Sequence, residues 1–115
     1  MRGIFVSGTD TGVGKTEVAC VVARIWRSRG LTVGAAKPVE TGVMASGPAD
    51  AQRLARAAED TRPIAEICPM QFSEPLAPAV AAERAGTPLE PERLLAAVVA
   101  AGRGRDRVVA ECAGG

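Results

Sequence analysis

The residues best suited to chemistry lie in one glycine-rich stretch near the start of the chain, Gly8–Thr16, which reads GTDTGVGKT. It follows a short apolar run, Ile4–Val6, and precedes a helical pattern that begins near Lys15. Glycines allow a tight turn whose N–H groups approach an anion, and a helix N-terminus adds partial positive charge. In such a loop the lysine reaches the outer phosphates and the Thr16 hydroxyl holds magnesium. The stretch predicts a phosphate-binding loop, although five residues rather than about four separate its outer glycines.

Four further positions could contribute to such a site because parallel sheets place their ligands beyond the carboxyl ends of the strands. Lys37 follows a predicted strand and either neutralises an anion or is a plain surface lysine. Thr41 either binds substrate or belongs to an ordinary turn. Asp50 begins a predicted helix, either as a magnesium ligand or as an N-terminal capping or first-turn carboxylate. Glu111 ends a buried strand, where a carboxylate is costly unless it is paired or meets a metal. We favour magnesium for Glu111 because the loop already implies this ion.

The composition excludes several classes of function. The chain has 115 residues, of which 47% are hydrophobic and 23% charged, and a net charge of +1. It is therefore at most one domain, and we expect neither a nucleic-acid partner nor a membrane partner. Histidine is absent, which removes imidazole bases and ligands. Three widely spaced cysteines indicate reduced thiols in a cytoplasmic protein.

Strands and helices are predicted to alternate along the chain. This order indicates an α/β fold with a parallel sheet flanked by helices in three layers, as in P-loop NTPases. We expect the strand that ends at Glu111 to be central. The predicted core strands are Ile4–Val6, Leu31–Ala36 and Arg107–Glu111, with a possible edge strand within Ile67–Phe72 and a loop over 38–49. The predicted helices are Lys15–Arg29, Ala49–Glu59, Ala77–Ala85 and Pro91–Ala101.

The first predicted helix carries apolar residues at helical spacing, and we expect them to form its buried face. These residues are Val18, Val21, Val22, Ile25 and Trp26. Since three core strands are few for a nucleotide-binding sheet, we also expect residues 1–115 to be the N-terminal part of a single, incomplete P-loop NTPase-like domain. Such a part should leave one sheet edge uncovered.

Taken together, these residues resemble dethiobiotin synthase, the ATP-dependent carboxylase-cyclase of biotin synthesis. The resemblance covers essentially the whole chain, and its most specific motif is the GTDTGVGKT loop. The other matching residues are Lys37, Pro38 and Val39, then Thr41 and Gly42, then Asp50, and finally Glu111 with Ala113, Gly114 and Gly115.

The resemblance implies a role for each matching residue. Phosphate and nucleotide contacts fall to Thr11, Gly12, Val13, Gly14, Lys15 and Thr16. The implied magnesium ligands are Thr16, Asp50 and Glu111. Lys37 would face both the carbamate and the γ-phosphate, and would be catalytic together with Lys15. Substrate contacts fall to Thr41, Lys37, Ala113 and Gly114.

The implied substrates are ATP, 7,8-diaminononanoate and carbon dioxide, with Mg2+ as cofactor and a homodimer as the working form. Two positions depart from the family pattern: Cys112 stands where members often have glycine, and Ala79 where many have histidine. A full member is also about twice as long as this chain.

Three alternatives remain open. One is another P-loop ATP-dependent synthetase that forms amides. The second is a nucleotide-dependent switch like the partitioning ATPases, but those usually carry an additional lysine early in the loop, where this chain has none. The third is a folded but inactive nucleotide-binding fragment.

Overall fold

The computed structural model describes residues 2–7 and 14–112. Within them, the predicted strands and helices occur in the expected order, and most of their boundaries fall within two residues of the expected ones. The strands are β1 (Gly3–Val6), β2 (Val33–Ala36), β3 (Val39–Glu40), β4 (Met70–Gln71) and β5 (Arg107–Glu111). The helices are α1 (Gly14–Ser28), α2 (Ala49–Ala58), α3 (Ile64–Ile67), α4 (Pro78–Ala85) and α5 (Pro91–Gly102).

The main sheet of the described residues is parallel and has the order β1-β5-β2. The strand that ends at Glu111 is therefore central, as predicted. Its register sets Val109 opposite Ile4 on one side and Ala35 on the other. Because parallel strands share one carboxyl edge, Glu111 lies in the middle of the rim where a ligand would bind.

A second, two-stranded parallel sheet joins β3 to β4, with Val39 opposite Met70 and Glu40 opposite Gln71. This sheet corrects two predictions. The segment 38–49 was expected to be a loop throughout, yet it begins with β3. The expected edge strand over Ile67–Phe72 is shorter, because α3 ends at Ile67 and β4 covers only Met70–Gln71.

Helices cover both faces of the main sheet, which confirms the predicted fold class. Val109 packs on one face with residues of α1 and α2, whereas Val108 packs on the other with Ala101 of α5. The α5 helix lies very close to β2 at Gly34, where a Cβ would collide with the Ala101 carbonyl oxygen, so only glycine fits there. No helix in the described part of the chain is long and apolar enough to cross a membrane.

The buried face of α1 differs from the predicted one. Val18, Val21 and Ile25 are 53%, 47% and 44% exposed. Val22 and Trp26 are partly buried against the core, in agreement with the prediction. The face that meets the sheet carries smaller side chains, which allow the helix axis to approach the strands closely. Its buried residues are Thr16, Ala19, Cys20 and Ala23.

The outer edge of β2 is closed by the segment after α2. The Ala35 N–H donates to the Asp60 Oδ2 at 2.9 Å, and the Ala35 carbonyl accepts a hydrogen bond from Arg62 at 2.9 Å. The backbone N–H of Lys37 donates to the Ile67 carbonyl at 3.0 Å. These contacts satisfy edge groups that another strand would otherwise pair with.

Candidate active site

Three polar side chains that are distant in sequence meet at the carboxyl end of β5. The Thr16 hydroxyl donates to the Glu111 carboxylate, with Oγ1 at 2.9 Å from Oε1 and 3.2 Å from Oε2. The Lys37 Nζ lies 3.5 Å from Glu111 Oε1. All three residues are at most 3% exposed. The carboxylate is thus both paired and hydrogen-bonded, as burial of a charge requires.

The fold accounts for this meeting. Glu111 is the last residue of the central strand, Lys37 follows the neighbouring strand β2, and Thr16 lies in the first turn of α1. Each of these positions faces the same rim of a parallel sheet. We predicted Glu111, Thr16 and Lys37 as site residues from their positions, and the structure brings these three together.

Lys15 adds a second cation beside this cluster. Its Nζ is buried and has no hydrogen-bond partner among the described residues. Burial raises the pKa of the neighbouring Cys112 thiol, and the charges of Lys15 and Lys37 both oppose that rise. Both ammonium groups therefore lie near the same half-buried thiol, and together they form a positive region suited to phosphate oxygens.

Asp50 is not brought into contact with this cluster. Among the described residues, its side chain makes no hydrogen bond to Thr16 or Glu111, and no group of three His, Cys, Asp or Glu residues is arranged to hold a metal. Asp50 lies in the first turn of α2, whose N-cap is Pro48. Asp50 is thus a first-turn carboxylate and not the N-cap residue itself, which agrees with the first-turn form of the alternative role. Its shared magnesium role stays a prediction.

Glu40 is a residue of this region that the sequence analysis missed. It is 6% exposed, and its carboxylate accepts the backbone N–H groups of Asp50 at 3.2 Å and Ala51 at 2.9 Å. Burial raises the pKa of the Glu40 carboxyl. One sequence feature could have revealed it: α2 begins after Pro48, which offers no side-chain acceptor, so the helix needs an acceptor from elsewhere.

The loop after β3 carries the predicted substrate hydroxyl, Thr41, which is half-buried. The next residue, Gly42, has φ +69°, and its N–H donates to the Glu74 carbonyl at 3.1 Å. Gly14 begins α1 and is exposed. The remaining predicted site residues lie outside the described residues, so their roles stay predictions: Thr11, Gly12, Val13, Ala113 and Gly114.

An apolar cavity of about 400 Å³ adjoins the cluster. Glu111 and Cys112 form part of its wall, and Phe5 of β1 contributes from the edge of the sheet. The rest of the lining is mainly apolar and comes from the β3 region, α4 and α5, namely Pro38, Val39, Pro78, Leu89, Leu94, Leu95 and Val98.

Comparison with known proteins identifies relatives of this chain. An ATP-dependent dethiobiotin synthetase BioD from Anaeromyxobacter dehalogenans strain 2CP-C is 47% identical over 115 residues, which are 100% of this chain and 52% of that protein. The protein of the same name from Bacillus cereus strain B4264 is 46% identical over 87 residues, 75% of this chain and 36% of that protein. The chain thus spans about half the length of the curated relatives it matches.

A family model described as an AAA domain matches residues 2–115. The parallel sheet, the helices on both of its faces and the cluster at the end of β5 agree with a P-loop NTPase-like fold. The match covers nearly the whole chain, and the chain therefore belongs to this AAA domain family.

Proposed function

We propose that this chain takes part in the ATP-dependent carboxylation and ring closure of 7,8-diaminononanoate to dethiobiotin. The observation that carries the proposal is the buried contact of Thr16 and Lys37 with Glu111. A hydroxyl, a carboxylate and an ammonium group at the carboxyl edge of a parallel sheet are the kinds of group that phosphoryl transfer uses, which supports the proposal. The relatives named for this activity support it, since the first of them aligns with the whole chain.

ATP and magnesium fit the residues present. Mg2+ prefers oxygen ligands, and the Thr16 hydroxyl and Glu111 carboxylate offer them side by side, 2.9 Å apart. We propose that these two residues, with Asp50, hold the ion, and that Thr11, Gly12, Val13, Gly14 and Lys15 hold the phosphates. When bound, magnesium supplies positive charge to the phosphate oxygens. In this structure Lys37 pairs with Glu111. Once the ion is bound to Glu111, Lys37 would be available to face the γ-phosphate.

The proposed reaction has three steps. One amine of the substrate adds to carbon dioxide and loses a proton, which gives a carbamate. A carbamate oxygen then attacks the γ-phosphorus of ATP, so that ADP leaves and a carbamic–phosphoric anhydride forms. The second amine attacks the carbonyl carbon, loses a proton and displaces inorganic phosphate, which closes the ureido ring.

The residues of this chain serve that sequence by position and charge. Phosphoryl transfer needs alignment and neutralisation more than a covalent nucleophile. Lys37 would hold the carbamate and the γ-phosphate together, and Lys15 would hold the outer phosphates. Thr41, Ala113 and Gly114 would orient the diamine. No histidine base is needed for any of these tasks.

We further propose a cytoplasmic homodimer as the working form. Cys20, Cys68 and Cys112 are all free thiols, which suits a reducing compartment. The homodimer follows from the resemblance to dethiobiotin synthase.

The test is a reaction of the purified protein, at its natural length, with MgCl2, ATP, bicarbonate and 7,8-diaminononanoate. We expect one phosphate released for each dethiobiotin formed, measured by a phosphate assay and by mass spectrometry. Omitting the diamine should abolish phosphate release. Release that depends instead on a carboxylic acid and an ammonia donor would favour the amide-forming alternative and overturn this proposal.

A further inference from the structure

The α2 helix has no N-cap of its own. Its N-cap residue, Pro48, is extended at φ −75° and ψ 98° and makes no side-chain cap hydrogen bond. The first N–H groups of a helix have no partner within it. A Ser, Thr, Asp or Asn cap would accept from the second or third residue of the helix. In α2 these residues are Asp50 and Ala51.

Glu40 supplies this cap from another element. Its Oε2 lies 3.2 Å from the Asp50 nitrogen and its Oε1 lies 2.9 Å from the Ala51 nitrogen, so both oxygens are used. Glu40 is itself held in β3, since its carbonyl accepts the Phe72 N–H at 2.9 Å. A carboxylate at a helix N-terminus also interacts favourably with the helix dipole. One side chain thus joins the small sheet to α2 and closes the loop 41–48.

The surroundings of Glu40 connect this cap to the candidate active site. Burial is the main reason for the raised pKa of Glu40, the charge of Asp50 adds to it, and the charge of Lys37 opposes it. Glu40 is therefore close to two predicted site residues that lie on different elements. The Lys37 ammonium also contacts Glu111 at 3.5 Å, so the charge of one lysine acts on both buried carboxylates.

We infer that Glu40 is a positioning residue: by accepting the Asp50 and Ala51 N–H groups, it fixes the first turn of α2, and with it Asp50, relative to β3. It also fixes both ends of the loop that carries Thr41. The inference rests on the proposed function for the magnesium role of Asp50. The hydrogen bonds from α2 to Glu40 do not depend on that function.

The test compares Glu40→Ala and Glu40→Gln in the protein at its natural length. Glu59→Gln is the matched control, because Glu59 is a carboxylate at the other end of α2 and its ion pair with Arg27 is exposed, so its loss should cost little stability. The first readout is amide hydrogen exchange at Asp50 and Ala51, measured by NMR. Loss of a helix cap should speed this exchange by about fivefold or more in Glu40→Ala. Glu40→Gln keeps one acceptor oxygen and should be intermediate, and Glu59→Gln should leave exchange at these two amides unchanged.

The second readout is the Mg2+ dependence of ATP binding without diamine, measured by calorimetry. It is independent of turnover, so a failure of the proposed reaction would not prevent it. We expect Glu40→Ala to weaken the magnesium-dependent part of ATP binding by about threefold or more, as loss of one hydrogen-bonded positioning contact would. Glu40→Gln should recover part of that loss. Faster exchange with unchanged magnesium dependence would make Glu40 a structural cap only and overturn the inference. Unchanged exchange in Glu40→Ala would overturn it as well.

Discussion

At the scale of single residues, the two lysines of the candidate site differ in what their removal should cost. Lys37 is 3% exposed and pairs with the buried Glu111. Removing one partner of a buried pair destabilises a protein by about 3–5 kcal/mol. We therefore expect Lys37→Met to lower the free energy of unfolding by that order, measured by urea denaturation. The double variant Lys37→Met/Glu111→Gln should recover much of the loss, because the uncompensated charge is gone. A Lys37→Met variant as stable as the wild type would contradict the pairing.

Removal of Lys15 should cost little stability but should abolish ATP-driven activity. Its Nζ has no hydrogen-bond partner among the described residues, and a lysine at this place in a phosphate-binding loop serves the ligand rather than the core. We expect Lys15→Ala to change the free energy of unfolding by less than about 1 kcal/mol. The same variant should lose ATP-driven phosphate release, because the outer phosphates lose their cation. Phosphate release at the wild-type rate would remove Lys15 from the proposed mechanism.

The cysteines should differ in their reactivity toward alkylating reagents. Burial raises the pKa of Cys68 to about 12, and Cys20 is fully buried with a raised pKa. Cys112 is only half-buried. Because the thiolate is the reactive form, we expect iodoacetamide to modify Cys112 first and the other two only after unfolding. Mass spectrometry of peptides after timed labelling measures this order, with Cys112→Ser as control. Early labelling of Cys68 in the folded protein would contradict it.

At the scale of elements, Asp60 links the end of α2 to the edge of β2, and it should make stability depend on pH. Burial alone would raise the pKa of Asp60, but hydrogen bonds from Arg62 and from the Ala35 N–H outweigh it, and the pKa is lowered. Because the pKa of Asp60 is lower in the folded state, its ionised form stabilises the fold at pH values above the unfolded pKa of about 3.9. That stability is lost as the pH falls through the lower, folded value.

We therefore expect Asp60→Asn to cost about 3 kcal/mol near neutral pH and progressively less as the pH falls below about 4. Urea denaturation of both proteins across this range measures the difference. The control is Asp106→Asn, because Asp106 is exposed and its pKa is lowered by hydrogen bonds from Thr32, so its cost should be smaller. A penalty for Asp60→Asn that stays constant down to acidic pH would show that the charge of Asp60 is not what stabilises the edge.

The elements also show how far the sequence could predict this structure. The bounds of β5 and the nature of α1, α2, α4 and α5 follow from local patterns of apolar and helix-ending residues. The buried face of α1 could not be found this way. Larger apolar residues at helical spacing indicated one face, but close approach to the sheet selected the face with Ala19, Cys20 and Ala23. Helical spacing in the sequence does not specify how closely the helix approaches the sheet.

The candidate site was predictable to a similar degree. Thr16, Lys37 and Glu111 could be found because each follows a strand or opens a helix, and parallel sheets collect such positions at one rim. Glu40 and Asp60 could not, because the Ala51 and Ala35 N–H groups that they accept lie 11 and 25 residues away and on other elements. Such contacts depend on tertiary packing, which leaves little trace in local sequence.

At the scale of the whole molecule, the two edges of the main sheet are unequal. The outer edge of β2 is satisfied by Asp60, Arg62 and the α3 region. The outer edge of β1 pairs with no strand among the described residues, since β1 contacts only β5 in the sheet. Phe5 of this strand is 59% exposed, and α1 carries a separate exposed stripe of Val18, Val21 and Ile25. Any chain that extends this sheet should therefore join at β1.

An open edge and exposed apolar side chains favour association. We expect the isolated 115-residue chain to self-associate as its concentration rises and to bind ATP weakly, measured by analytical ultracentrifugation and calorimetry. Placing charges on the stripe, as in Val18→Glu/Ile25→Lys, should shift the chain toward the monomer, because burying these charges in an interface would be costly. Met44→Glu is the matched control, since Met44 is 76% exposed but lies in the loop after β3. If the stripe variant associates as strongly as the control, contacts elsewhere hold the copies together. A wild-type chain that stays monomeric at every soluble concentration would show that β1 is protected in solution despite its unpaired edge.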